Sequence, residues 1–213
     1  MRHGEVFNPD GVLYGRLPGF HLSELGKKMA ASAASELTGH PITALYASPL
    51  LRAQESAQAW SEAFDLPIQT DDRLIEPTNK FEGGTYEFGP KVLLHPKIWP
   101  WVANPLKPSW GEPYRSVEAR MLAAIGDAWA KADGGEVVMV SHQMPIVMVS
   151  HQMPIVMVQR AVSGQRPFHD PRKRRCTLSS ITTLERRGDS FVEVGYQEPA
   201  AELLAGSIDT GAV

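Results

Sequence analysis

A single cysteine, Cys176, stands in a chain of 213 residues. That excludes an internal disulfide framework, and a lone thiol suits a reducing cytoplasm, the expected location. A dominant charge is lacking as well. The 21 Lys and Arg face 24 Asp and Glu, for a net charge of -3, which excludes the broad basic surface of a nucleic-acid binder. The one basic run, Arg172, Lys173, Arg174 and Arg175, reads as a solvated loop, with an anion-contacting rim as the sharper alternative. Long apolar runs are missing too. The longest lies near 138–158 and is interrupted by Ser, His, Gln and Pro. No membrane span and no signal peptide are visible.

What is present is 43% hydrophobic residues, enough for one substantial core. The chain reads as a single domain, 1–213, with a cap inserted at about 77–113. Helical spacing predicts a helix from Leu22 to Thr38 and another from Tyr114 to Ala132, the latter with Val117, Met121, Ile125 and Trp129 on one face. A third helix is expected after Ser48-Pro49, with Ser48 as its cap, Pro49 as its first residue, and Leu51, Ala53, Ala57, Trp60 and Phe64 in the core. Strands are expected at 41–46 and 136–140, and short extended pieces at 66–69 and 72–75. A hairpin is expected around Arg187-Gly188-Asp189, and the tail reads as a short helix and a frayed end. Strands alternating with helices predict an α/β fold with a mostly parallel sheet flanked by helices. The cap segment is rich in Gly, Pro and aromatics and carries Trp99, Trp101 and Trp110, the composition of an ordered lid.

One stretch is present twice. VMVSHQMPI fills 138–146 and again 147–155. Nine residues swap the faces of a strand and turn a helix by half a revolution, so neither element absorbs them silently. In one arrangement 136–140 is the strand, His142 stands at its end, a helix starts near Pro145, and the second copy lengthens or breaks it. In the other, 146–149 is the strand, His151 stands at its end, and a helix runs 154–163 to Gly164. The first keeps the Gly134-Gly135 entry to the strand and is preferred, with His151 as the alternative.

Four places carry residues suited to chemistry. Arg2-His3-Gly4-Glu5 opens the chain. Tyr46-Ala47-Ser48-Pro49-Leu50-Leu51-Arg52-Ala53 turns from a strand into a helix, with Arg52 in the first turn. Free N–H groups and the helix dipole favour an anion there, and a cation is placed there against the dipole. The plain alternative is a surface pair with Glu55 or Glu62. Val140-Ser141-His142 ends a buried strand, where open α/β sheets bind ligands. Leu74-Ile75-Glu76 precedes the cap, with Glu82, Glu87 and Glu112 as competing carboxyls. His21, His40, His95 and His169 read as structural.

Together RHGE with Asn8, HLSELG, YASPLLRAQESA, RLIEP with FEGG, and a strand ending in SH resemble, in family order, the histidine phosphatase superfamily, in its phosphoglycerate mutase-like branch. The resemblance spans residues 2 to about 158. It implies that His3 is a nucleophile that takes a phosphoryl group, that Arg2, Arg52 and the strand-end histidine hold the phosphoryl oxygens, and that Glu76 is the acid and then the base. Asn8 and Ser48 would line the pocket. It implies a small phosphorylated substrate and hydrolysis, without metal or other cofactor. A mutase is the nearest rival, and an inactive remnant that only binds phospho-ligands the other. Nucleic-acid and membrane partners are not expected.

The sequence departs from the family pattern in two further ways. Gln143 or Gln152 stands where glycine usually follows the histidine. Met1 directly precedes Arg2, where the family has an apolar strand, so the first strand of the sheet reads as missing. An uncovered sheet position predicts reduced stability and self-association into a homo-oligomer.

Overall fold

The computed structural model describes residues 1–84, 111–142, 154–166 and 175–209. Strands β1 (Ile42–Ala47), β2 (Ile68–Thr70) and β3 (Glu136–Val140) form a parallel sheet in the order β2–β1–β3. Helices α1 (Glu24–Glu36), α2 (Leu51–Phe64), α3 (Tyr114–Ala130) and α4 (Pro154–Val162) alternate with them in sequence. An antiparallel hairpin of β4 (Ile181–Arg187) and β5 (Ser190–Gln197) and the short helix α5 (Ala201–Leu204) follow. The expected α/β architecture is the one found.

Successive strand residues point to opposite faces, and here both faces are covered. Leu45, Ala47, Val138 and Val140 pack against Ala30, Ala33, Ala53, Ala57 and Trp60 of α1 and α2. Ala44, Tyr46, Val137 and Met139 pack against Val117, Met121, Ile155 and Val158 of α3 and α4. The α1 helix begins at Ser23, whose side chain accepts from the Gly26 N–H. The opening residues lie directly on this turn. A Cβ on Gly4 would come within 2.3 Å of the Gly26 carbonyl oxygen, and one on Gly26 within 2.0 Å of the Glu5 carbonyl oxygen. Backbone meets backbone there, which only glycine permits at both positions.

Local readings needed correction in several places. The α2 helix starts at Leu51, and its N-cap residue, Leu50, makes no side-chain cap. Proline disfavours helix in the residue before it, Ser48, and Leu50 still has extended dihedrals, φ -73° and ψ 136°. Leu51 is exposed rather than in the core, and so is half of Trp129, which the Arg186 guanidinium covers at 4.5 Å from the ring centre. Residues 72–74 form a 3₁₀ turn, not an extended piece, because the Asp71 side chain accepts from the Arg73 N–H. At the two ends of the segment expected to form the cap, Asn79 is bridged to Gly111. Its residues 85–110, with the three tryptophans, lie outside the described residues, as do Arg172, Lys173 and Arg174 of the basic run. Arg175 pairs with Glu193 and lies over the Tyr196 ring.

The repeat is shared between the two elements it flanks. Its first copy supplies the end of β3 and His142, and its second supplies Pro154 and Ile155 at the start of α4. The strand at 136–140 ending at His142 is the one the first arrangement expects, and the helix from Pro154 the one the second expects. The first arrangement's helix start near Pro145 lies outside the described residues. Residues 143–153, His151 among them, lie outside the described residues.

The first strand is represented by Met1–His3. Met1 N donates to Met139 O at 2.8 Å, and Ser141 N donates to Met1 O at 2.9 Å. On the other side Arg2 N donates to Ser180 O at 3.1 Å. Among the described residues, β3 is at the edge of the β2–β1–β3 sheet upstream of that point. A cavity of about 500 Å³ opens between β3 and β4, lined by Met1, Trp60, Val137, Val138, Ile181 and Leu184 among others. Among the described residues, no helix is long and apolar enough to cross a membrane.

Candidate active site

The ends of β1 and β3 lie side by side, with Ala47 opposite Val140. Ser48 and His142 follow those ends, and the pairing of Met1–His3 with β3 carries Arg2 and His3 to the same place. Arg52 comes from the first turn of α2, and Glu76 from the residues just after the 3₁₀ turn. Arg2, His3, Arg52, Glu76 and His142 are all buried there. So many ionisable groups in one dry spot mark a functional site more often than a core.

His3 Nδ1 lies 2.7 Å from the Gly4 carbonyl oxygen. A carbonyl only accepts, so Nδ1 carries the hydrogen and the lone pair sits on Nε2. Nε2 has no hydrogen-bond partner among the described residues. Burial, then the charges of Arg52 and Arg2, hold His3 well below the ordinary histidine range. It is therefore a neutral imidazole with an available lone pair at neutral pH.

The His142 ring lies 5.2 Å from that of His3, centre to centre. Its Nε2 is 2.6 Å from Ser48 Oγ, and its Nδ1 is 3.4 Å from Glu76 Oε2. Burial, then Arg52 and His3, lower its pKa as well. Ser48, expected as a helix cap, instead holds this histidine.

Glu76 Oε2 is 3.3 Å from an Arg52 terminal nitrogen, while Oε1 has no partner among the described residues. The Glu76 backbone oxygen accepts from Arg16 Nε at 2.5 Å, which fixes the residue from behind. Its pKa is raised to about 7. Burial causes the rise, and the long pair with Arg52 only partly offsets it. Near neutral pH this carboxyl can both give and take a proton. Of the rival carboxyls, Glu112 is engaged by Arg120 and Arg16, and Glu82 lies against Gly15. Glu87 lies outside the described residues.

Arg52 donates to the Gly15 oxygen at 2.8 Å, and its guanidinium lies 4.6 Å from the centre of the Tyr14 ring. The surface pairing with Glu55 or Glu62 is not formed. Glu55 accepts from the Leu22 N–H and Glu62 from the Gln58 amide. Arg2 donates to the Cys176 oxygen at 2.9 Å and to the Asp209 carboxylate through both terminal nitrogens. Asn8 bonds Val12 with both ends of its amide and so shapes the loop that leads to Tyr14. His21 stacks on Phe7, and exposed His40 pairs with Glu136, both structural as expected.

Sequence reasoning missed two residues. Tyr14 is buried, and burial raises its phenol, whose charged neighbours are Arg52, Arg2, Asp209 and Glu76. Asp209 belongs to the tail that reads as frayed in the sequence. Neither sits in a motif, and only the folded chain brings them to the cluster. His3 and His142 are far apart in sequence, yet one ligand atom each from them and Glu76 lie within 4.8 Å of one another. That spacing would admit a divalent ion. The two guanidiniums beside it repel a cation and favour an anion.

The sequence model of a family described as "Histidine phosphatase superfamily (branch 1)" matches residues 1–199. Uncharacterized protein Rv0525 of Mycobacterium tuberculosis is 46% identical over 201 residues, covering 94% of this chain and 95% of that protein. Phosphoserine phosphatase 1 of Hydrogenobacter thermophilus is 32% identical over 149 residues, covering 68% of this chain and 70% of that protein. Among solved structures, a phosphoserine phosphatase from Entamoeba histolytica in complex with 3-phosphoglyceric acid superposes with a TM-score of 0.71. The match covers 92% of this chain and 93% of that one at 20% identity, a likeness of fold.

Proposed function

Because this chain belongs to branch 1 of the histidine phosphatase superfamily, we propose that it is a phosphomonoester phosphatase acting through a phospho-histidine on His3. The observation that carries the reading is the lone pair of His3 Nε2, unpartnered among the described residues, within the influence of the Arg52 and Arg2 charges and close to a carboxyl with a pKa of about 7.

In the first step Nε2 attacks phosphorus, the bond from phosphorus to the ester oxygen breaks, and Glu76 protonates the departing alkoxide. In the second step the Glu76 carboxylate takes a proton from water, the resulting oxygen attacks phosphorus, and the N–P bond breaks. Inorganic phosphate leaves and both residues return to their starting forms. Arg2, Arg52 and His142 meet the charge on the equatorial oxygens, the main catalytic need of phosphoryl transfer. Ser48 orients His142, and Asn8 holds the loop that leads to Tyr14, whose ring meets Arg52. The named activity of the Hydrogenobacter relative supports hydrolysis of a small phosphorylated metabolite.

A panel of phosphate esters tests this. Release of inorganic phosphate supports the phosphatase. Interconversion of phosphoglycerates without release would make the chain a mutase instead, and no reaction with any ester, while phosphate still binds, would make it a binding remnant.

The acid role of Glu76 has its own signature. Glu76→Gln is expected to lower hydrolysis of an alkyl phosphate such as phosphoserine by roughly 10²–10⁴-fold. In the first-turnover burst, which precedes the water step, the loss with p-nitrophenyl phosphate should be far smaller, because nitrophenolate leaves without a proton. Equal losses of burst rate on both esters would rule out the acid.

The duplicated histidines can be separated in the same assay. His142→Ala should lower turnover by about 10²–10³, the effect of removing one preorganised donor. His151→Ala should stay within about twofold of the parent on the same scale. Full activity in both single variants would show that the copies substitute for one another.

A further inference from the structure

The C-terminal tail brings to the cluster a charged group that the proposed chemistry does not use. After α5 the chain returns to the opening residues. The Ile208 N–H donates to Glu5 Oε1 at 2.6 Å. Glu5 is itself held by the Ser23 hydroxyl, and its carbonyl accepts from the Ser23 N–H. One residue on, the Asp209 carboxylate takes both terminal nitrogens of Arg2, at 2.9 and 2.5 Å. The Arg2 side chain is 1% exposed and that of Asp209 43% exposed. The carboxylate thus reaches a buried guanidinium from the rim.

Two carboxylate oxygens on the two terminal nitrogens of a guanidinium make the same pattern by which a phosphoryl group is held. Asp209 occupies that edge of Arg2, so an anion that approaches the same edge must displace it. Asp209 also cancels one of the two positive charges that surround His3.

We propose that Asp209 is an internal competitor for Arg2, and that the phosphoryl group of a substrate binds by displacing its carboxylate and the short tail that carries it. The proposal rests on the reading of Arg2 as a phosphoryl ligand. Three consequences follow from charge and population. Apparent affinity is the intrinsic affinity divided by the fraction of chains with the tail released. A phosphate dianion displaces the tail more readily than a sulfate-ester or phosphodiester monoanion does, because its attraction to the two arginines is larger. After hydrolysis, the returning carboxylate helps expel inorganic phosphate.

The test compares the full chain with Asp209→Asn and Arg2→Ala. Inorganic phosphate binding is measured by calorimetric titration, and KM and kcat with p-nitrophenyl phosphate. Asp209→Asn keeps the shape and removes the charge. It is expected to tighten phosphate binding and lower KM by about tenfold, with kcat changed by less than about threefold. An unchanged phosphate affinity in Asp209→Asn beside a weakened one in Arg2→Ala would overturn the competitor. A fall in kcat at constant KM would overturn it too, by showing that Asp209 only orients Arg2. An affinity that Arg2→Ala leaves unaltered would sink the reading of Arg2 instead. A second measurement needs no substitution. Saturating phosphate should speed hydrogen exchange at the Ile208 amide of the unaltered chain, and slower exchange there would refute displacement. Both binding readouts hold even if no ester is turned over.

Discussion

Replacing His3 by alanine is expected to lower phosphate release by at least about 10⁴-fold, and to abolish the phospho-enzyme. The size follows from geometry. His3 Nε2 carries the lone pair and has no hydrogen-bond partner among the described residues, and burial, then the charges of Arg52 and Arg2, keeps the ring neutral. His142 cannot readily replace it, because its Nε2 is tied to Ser48 and its Nδ1 faces Glu76. Direct attack by water would leave Arg52, Arg2 and Glu76 in place, so some residual rate over solution is expected. Two measurements check the result. Steady-state phosphate release gives the loss, and rapid quenching with a radiolabelled ester should trap an acid-labile phospho-histidine in the parent only. Turnover that survives His3→Ala, in a variant whose melting temperature matches the parent, would refute the mechanism.

The helices were legible because α1 and α3 each bury one face, which leaves a period in the sequence, and β3, covered on both faces, because it reads as an apolar run. The cluster was legible for another reason. Arg52 at a helix start and His142 at a strand end stand where α/β folds bind anions, whatever the rest of the chain does. The misreading at Ser48 shows the limit. Ser-Pro before an apolar helix looks like a cap, and the same hydroxyl was taken by His142, a residue 94 positions away. Tyr14 and Asp209 could not be read at all. Tyr14 lies in a loop with no period, and its place is set by a ring contact with Arg52. Asp209 sits among small and polar residues, and its partner, 207 positions earlier, is not visible from them. The repeat was half legible. Its length ruled out silent insertion into a strand or helix, but not its division between the end of one and the start of the other.

An apolar strand of about five residues fused ahead of Met1 is expected to raise the melting temperature by roughly 5–10 °C, which corresponds to about 2–3 kcal/mol in a domain of this size. The slot for it is the cavity of about 500 Å³ between β3 and β4. Met1 already pairs in parallel with β3, its N–H and C=O bracketing Val140, so a strand continuing upstream would meet the remaining edge of β3. Burying about three apolar side chains there is worth roughly 1.5–3 kcal/mol each. Ordering five residues costs about 1.5 kcal/mol each, which nearly cancels that gain. Two further contributions decide the sign. The edge groups of β3 gain backbone partners, worth about 1 kcal/mol per bond. A buried ammonium is also replaced by a neutral peptide N–H that makes the same bond to Met139. Burial lowers the Met1 amine from 8.0 to about 6. The unfolded amine therefore keeps its proton below about pH 8, while the folded one sheds it until about pH 6. The parent loses stability as pH falls through that window, by about 1 kcal/mol at pH 7. The strand-bearing variant has no such amine there, so its advantage should grow from pH 8 to pH 6. Thermal melts at both pH values check this against a Gly-Ser extension of equal length, which removes the charge but brings no apolar side chains. Equal melting temperatures for the two extensions would show that the cavity is not a strand site, and a pH-independent difference from the parent would show that the buried amine carries no cost.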